Sequence, residues 1–132
     1  MKFPLALLLV ATLTACVTRG APPAPPSAAD TADAKLPVRC GSREQCDRWW
    51  RTAQVWVVKN AGYKVQVATD AIVQTAGPDF GSPSWFVLAT RAPHADGGEA
   101  IDIELRCGSG AVCAPAYDSV IADFKRAVRA TR

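Results

Sequence analysis

The sequence has little of what most enzyme classes need. Among its 132 residues there is one histidine, and the charge is near balance, with 15 Lys and Arg against 12 Asp and Glu. It has no Gly-rich phosphate loop, no G-x-S-x-G nucleophile motif, no H-E-x-x-H zinc motif and no C-x-x-C redox motif. A net charge of +3 without a basic stripe also argues against nucleic acid as a partner. We therefore expect no catalytic residue, no cofactor and no metal, and a protein that is not an enzyme.

The sequence also lacks an apolar run long enough to cross a bilayer. The longest run covers residues 3–13, whereas a membrane-spanning helix needs about 20 apolar residues. Lys2 precedes this run and small residues follow it, an order that is typical of a secretory signal peptide. The N-terminus therefore predicts export.

The end of this segment, Leu13-Thr14-Ala15-Cys16, resembles the lipobox of bacterial lipoproteins. The resemblance implies a signal peptide over 1–15 and a mature N-terminus at Cys16 that carries lipid chains, which hold the protein at a lipid bilayer. In the enterobacterial sorting pattern, Asp after the acylated Cys retains a lipoprotein in the inner membrane. Val17 stands there instead, so the resemblance favours the periplasmic face of the outer membrane over the inner membrane.

Residues 16–36 are predicted to be a disordered tether. The stretch Ala-Pro-Pro-Ala-Pro-Pro at 21–26 and the Ala- and Asp-rich residues after it carry no large apolar side chain to offset the entropy of ordering. The prolines favour an extended chain. The remainder, residues 37–132, is predicted to be a single domain, because its length suits one hydrophobic core.

The pattern of this domain is helix, three strands, helix. Ser42 and Gln45 form a capping box, and apolar residues at helical spacing follow from Cys46 to the stop at Gly62. Residues 63–75 alternate with period two, which predicts one strand bent near Asp70. A strand that is apolar on both faces (84–92), an alternating strand (101–106) and an amphipathic helix from about Pro115 complete the pattern.

Short connections between these elements predict an antiparallel meander with the second strand in the centre. The fold class is therefore α+β, αβββα, with both helices on one face of the sheet. The same element order occurs in double-stranded-RNA-binding domains. However, the last helix begins with Ala114-Pro115-Ala116-Tyr117-Asp118, which has no basic group for a phosphate.

Four cysteines remain besides Cys16, and an even number in an exported domain predicts two disulfides. Three connectivities are open. Local geometry favours Cys40–Cys46 with Cys107–Cys113, although pairing Cys40 with Cys107 would restrict the unfolded chain more, by about 4.4 against about 2–2.5 kcal/mol. Zinc is disfavoured, because both pairs are separated by five residues rather than the two to four of zinc knuckles.

Two sets of polar residues are candidates for acid–base chemistry. His94 stands before a Gly-Gly turn, where a solvated loop histidine is the usual outcome. Asp102 and Glu104 lie two apart on one strand face, where they are expected to be ordinary outer-face carboxylates near Lys64 and Gln66.

If both helices cover one face of the sheet, the other face is bare. An apolar centre with a polar rim is typical of a partner surface. The sequence therefore predicts a surface for an envelope protein partner or for self-association, formed by Lys64, Gln66, Phe86, Leu88, Asp102 and Glu104.

The whole chain resembles small lipoproteins of Gram-negative bacteria, a group without an assigned activity. The resemblance rests on the lipobox and, more loosely, on Trp50…Ala53-Gln54-Val55-Trp56-Val57 and Val65-Gln66-Val67-Ala68-Thr69-Asp70. It implies a location and no mechanism. We therefore expect a non-catalytic, membrane-anchored protein-binding or envelope-assembly module. The alternative is an envelope hydrolase or small-ligand carrier, which requires a pocket where His94 or the Asp102 and Glu104 pair converges.

Overall fold

The computed structural model describes residues 21–132, which form an α+β domain of three helices and a five-stranded antiparallel sheet. The predicted signal peptide over 1–15 and the predicted lipidation site Cys16 lie outside the described residues. The elements in chain order are α1 (Ala28–Lys35), β1 (Arg39–Cys40), α2 (Arg43–Asn60), β2 (Val65–Ala68), β3 (Ile72–Thr75), β4 (Phe86–Pro93), β5 (Glu99–Arg106) and α3 (Tyr117–Arg129).

The sheet has the strand order β1-β5-β4-β3-β2, and each neighbouring pair is antiparallel. The pairs Val87 with Leu105 and Ala89 with Ile103 set one face, on which Val73 lies beside Ala89. These side chains share one hydrophobic core with α2 and α3, so the helices cover this face. The prediction that the strand over 84–92 lies at the centre of the sheet is confirmed, since β4 lies between β5 and β3.

Helix α2 begins where its cap predicts, because Ser42 Oγ accepts a hydrogen bond from Gln45 N at 3.3 Å. Trp49 and Trp50 of α2 are both buried. Each indole N–H has a partner outside α2, which is what burial of tryptophan requires. Trp49 donates to Thr131 O at 2.9 Å and Trp50 to Thr69 O at 3.0 Å.

The predicted strand over 63–75 is two strands, β2 and β3, joined by a tight turn. Thr69 makes this turn with its side chain: its Oγ1 accepts from Ala71 N at 3.2 Å and from Ile72 N at 3.0 Å. Trp50 and Gln54 of α2 both donate to Thr69 O, which fixes the turn against the helix. The alternating pattern continues through this turn, so the sequence predicts a bend near Asp70 where the structure has a hairpin.

The predicted three-stranded meander is therefore wrong in strand number. Splitting the first strand adds one strand, and β1 adds another by pairing Arg39 with Ala100 and Cys40 with Glu99 at the edge of β5. A strand of two residues is too short to show a period in a sequence.

The structure also differs from the predicted tether over its last third, where 28–35 form helix α1. Ser27 Oγ accepts from Asp30 N at 3.0 Å and caps the helix. Helix α1 has no buried residue of its own and is held to α3 by polar contacts. Arg126 of α3 donates to Asp30 at 2.9 Å and to Asp33 at 2.8 Å, and Lys125 donates to Ala34 O at 2.6 Å. The packed unit thus begins at α1 rather than at residue 37.

Both favoured disulfides are present, Cys40–Cys46 and Cys107–Cys113. The first links β1 to the first turn of α2, and both of its cysteines are buried in the core. The second closes the loop between β5 and α3. Both are therefore local staples.

Candidate functional site

The sheet face opposite the helices, called the open face below, carries most of the predicted partner surface. Leu88 lies opposite Glu104, and Thr90 lies opposite Asp102, so these side chains share one face. Asp102 and Glu104 are exposed and Leu88 is half-buried. The structure therefore places the two acidic residues beside the half-buried Leu88.

Lys64 and Gln66 lie further away, at the edge of the sheet formed by β2. Lys64 stands just before β2, and its carbonyl accepts from Ala76 N at 2.9 Å. Gln66 is the extra residue of a β-bulge between Val65 and Val67. Both residues are exposed, so they form a border two strands away from Leu88.

Two apolar residues of the open face were not predicted, Val67 and Ile72. The bulge reverses the side-chain alternation of β2, so Val67 pairs with Gln74, which in turn pairs with Leu88. Ile72 pairs with Thr90. Val67 is 40% exposed and Ile72 is 39% exposed. With Leu88 they form an apolar stripe across three strands.

Phe86 contributes less to this surface than expected, because it is buried. The guanidinium of Arg106 lies over its ring, 4.7 Å from the centroid, and also pairs with Glu104 at 3.1 Å. Arg106 thus covers Phe86 and offsets one of the two acidic charges.

A second feature is a polar groove of about 870 Å³. It lies between the start of α2, the C-terminal end of β4 and the N-terminal end of β5. Arg91 lies on its wall and is held by two carboxylates, donating to Asp47 Oδ1 at 2.8 Å and to Glu99 Oε2. The hydrogen bond from Arg91 holds the pKa of Asp47 below its ordinary value, and the Glu99 carboxylate with Asp47 raises the pKa of Arg91. Further charged residues line the groove: Arg43, Arg51 and Asp70.

The candidates for acid–base chemistry, His94, Asp102 and Glu104, do not line this groove. Asp102 and Glu104 lie on the open face, whereas the groove faces α2. His94 is half-buried rather than exposed, and its Nδ1 accepts a hydrogen bond from Asp96 N at 3.3 Å within the β4–β5 turn. The structure therefore does not bring His94 and the acidic pair together with the groove.

One cluster within residues 21–132 has metal-ligand atoms in close range. The Sγ atoms of Cys40 and Cys46 and a carboxylate oxygen of Glu99 lie within 4.8 Å of one another. Because the two sulfurs are joined as a disulfide, they are not available as thiolate ligands. The cluster is therefore part of the staple, and Glu99 is already the partner of Arg91.

In the described part of the chain, no helix combines the length and the apolar character needed to cross a bilayer. No protein-family model, no curated protein and no solved structure matches this chain.

Proposed function

We propose that the protein is a lipid-anchored module of the bacterial envelope that binds another envelope protein through the open face. The observation that supports this function is the uncovered apolar stripe of Val67, Ile72 and Leu88, bordered by acidic residues on one side and by Lys64 on the other. An apolar patch with a polar rim is typical of an interface.

The anchor in this proposal is Cys16, acylated after removal of residues 1–15, on the periplasmic face of the outer membrane. It rests on Leu13-Thr14-Ala15-Cys16 and on Val17. Several acyl chains on one residue hold a protein at a membrane durably, since each buried methylene contributes about 0.8 kcal/mol.

The charges of the open face define the partner's chemistry. Glu104 is paired with Arg106, whereas Asp102 has no ion pair within 4 Å among residues 21–132. The partner therefore presents a basic group opposite Asp102 and apolar side chains over the stripe. An acidic group opposite Lys64 completes the match, and such complementarity directs encounter and selects the partner.

Photo-crosslinking in living cells tests this function, with a photoreactive amino acid at Ile72 or Glu104. The matched control is Val55, which is apolar and 51% exposed but lies on α2, away from the open face. We expect a covalent adduct with one other envelope protein from the open-face positions and not from Val55. Capture of a second copy of this chain would support self-association instead. If neither open-face position gives a specific adduct, the proposal is contradicted.

Reversal of two border charges provides a second measurement. Lys64→Glu combined with Glu104→Lys inverts the charge at both sides of the stripe while keeping its apolar residues. We expect the captured complex to weaken, mainly through slower association, because exposed charges act chiefly on the association rate. An unchanged association would place the partner elsewhere on the domain.

A small-ligand carrier is the second candidate, and the groove is the observation that favours it. Its volume of about 870 Å³ suits a small molecule. The charge of Arg91 is already balanced by Asp47 and Glu99, so a ligand would meet Arg43 and Arg51 first. Ligand-induced thermal stabilisation that is lost with Arg51→Ala would support this function over the first.

A further inference from the structure

Two loops at one end of the sheet are joined by hydrogen bonds into one unit, called the loop tip below. It consists of residues 76–84, before β4, and residues 107–116, after β5. Backbone hydrogen bonds connect the two loops, from Gly81 N to Ser109 O at 3.1 Å and from Gly108 N to Ser82 O at 3.0 Å. The Cys107–Cys113 disulfide closes the second loop.

The loop tip exposes large apolar side chains. Phe80 is 87% exposed and Val112 is 69% exposed, the two highest values among large hydrophobic residues of 21–132. The two loops are in contact beside Phe80, since a Cβ added at Gly110 would lie 3.8 Å from Phe80 Cζ. Tyr117, 46% exposed, follows the second loop and packs edge-on against Trp85 with 5.7 Å between ring centroids. Exposed apolar residues grouped at one end mark a contact surface.

Helix α1 enters the domain at this same end. Asp30 of α1 accepts from Ser119 and from Arg126 of α3, whereas Asp33, further along α1, contacts Arg126 and Arg129. Because later residues of α1 contact later residues of α3, the two helices run parallel. The start of α1 therefore lies near the start of α3, which directly follows the loop tip.

The length of chain between the proposed anchor and α1 limits the distance from the membrane. Ser27 follows Cys16 by 11 positions. An extended chain covers at most about 3.6 Å per residue, so the start of α1 lies within about 40 Å of an anchored Cys16. The β4–β5 turn is at the opposite end, since β4 runs for eight residues away from the loop tip. The chain therefore enters the domain at the end that carries the loop tip, and a tether of at most about 40 Å keeps this end near an anchored Cys16.

We propose that the loop tip contacts the lipid bilayer, with Phe80 and Val112 inserted at the level of the head groups and upper acyl chains. Side chains of amphipathic segments enter this zone by about 5–10 Å, and tyrosine, here Tyr117, is favoured at its boundary. This contact rests on the lipid anchor of the proposed function. It holds the domain upright, so that the open face stands sideways to the membrane and accessible to a neighbouring envelope protein.

The test uses the full chain, expressed with its own N-terminus, purified from membranes and reconstituted into phosphatidylcholine vesicles. A photoreactive benzoylphenylalanine replaces Phe80 in one sample and Val112 in a second. The control replaces Ala95, an exposed residue in the β4–β5 turn at the opposite end. Mass spectrometry first measures the acylation of Cys16, and after irradiation it detects phospholipid joined to the protein.

We expect a mass increase of one phospholipid from positions 80 and 112, and only the unirradiated background from position 95. Acylated protein that gives background at positions 80 and 112 would overturn the bilayer contact and leave the anchor intact. Equal lipid adducts from all three positions would also overturn it, since the domain would then have no preferred end. A Cys16 that carries no lipid would overturn the anchor and, with it, this orientation.

Discussion

Gly108 is the residue on which the joining of the two loops depends, and Gly108→Ala tests that joining directly. Gly108 is buried, and a Cβ at this position would lie 2.0 Å from Asp79 O and 2.7 Å from Ser82 N. These are backbone atoms, so the loops must move apart. Overpacking of this kind costs about 1–3 kcal/mol, and loss of the Gly108–Ser82 hydrogen bond adds about 1 kcal/mol, for a total of about 3 kcal/mol.

Urea unfolding monitored by tryptophan fluorescence measures this change. With a slope of about 1.5 kcal/mol/M, a loss of about 3 kcal/mol lowers the midpoint by about 2 M. Gly41→Ala is the matched control, because nothing lies within 4 Å of a Cβ at that position. The control is expected to leave the midpoint unchanged or slightly higher, since alanine restricts the unfolded chain. Equal midpoints for the two variants would refute the close packing of the loops.

Three further predictions concern other parts of the fold. Thr75→Val is expected to lower the free energy of unfolding by about 1–3 kcal/mol. Thr75 Oγ1 accepts a hydrogen bond from the buried Val87 N at 3.0 Å, and valine would leave that donor unpaired. Thr75→Ser should retain most of the stability in urea titrations. The Arg126 and Ser119 side chains hold the pKa of Asp30 below its ordinary value of 3.8. The charged Asp30 therefore stabilises the docked α1 above pH 3.8, and this contribution is lost as the pH falls further, through the lowered pKa. Amide hydrogen exchange should show α1 opening at acid pH before α2. Replacing Cys40 and Cys46 by serine is expected to cost about 2–2.5 kcal/mol, measured by thermal unfolding with and without reductant.

Each of these three has an outcome that would contradict it. Thr75→Ser as unstable as Thr75→Val would mean that packing rather than the hydroxyl matters. Exchange in α1 that does not change with pH would remove Asp30 from its docking. A serine double variant as stable as the parent protein would mean that the staple does not restrict the unfolded chain.

The sequence was informative where one element determines its own pattern. Helices α2 and α3 follow apolar spacings that need no knowledge of the rest of the chain, and the Ser42 cap fixed the start of α2. Cys40 with Cys46, and Cys107 with Cys113, are close enough along the chain that local pairing was the favoured geometry. These predictions are confirmed by the structure.

The errors arose where a distant contact decides the local structure. Helix α1 is alanine-rich and buries no side chain of its own, and its docking depends on Arg126, nearly a hundred residues later. The β2–β3 turn depends on the side chain of Thr69. This turn contains neither the Gly nor the Asn that usually indicates a tight turn in a sequence. The bulge at Gln66 moves the side chain of Val67 from the core face of the sheet to the open face. The apolar stripe of the open face therefore could not be predicted from the alternation alone.

If Cys16 is the proposed lipid anchor, the docking of α1 on α3 also limits how far the domain can lie from it. With α1 docked, 11 positions separate Cys16 from Ser27. Release of α1 would free the chain up to Val38, the first buried residue after it, and would extend the separation to 22 positions. At about 3.6 Å per residue, the maximum length of chain between Cys16 and the packed domain would double from about 40 Å to about 80 Å. Under the proposed lipid anchor, the ion pairs of Asp30 and Asp33 would therefore determine whether the domain stays near the membrane or can lie farther from it.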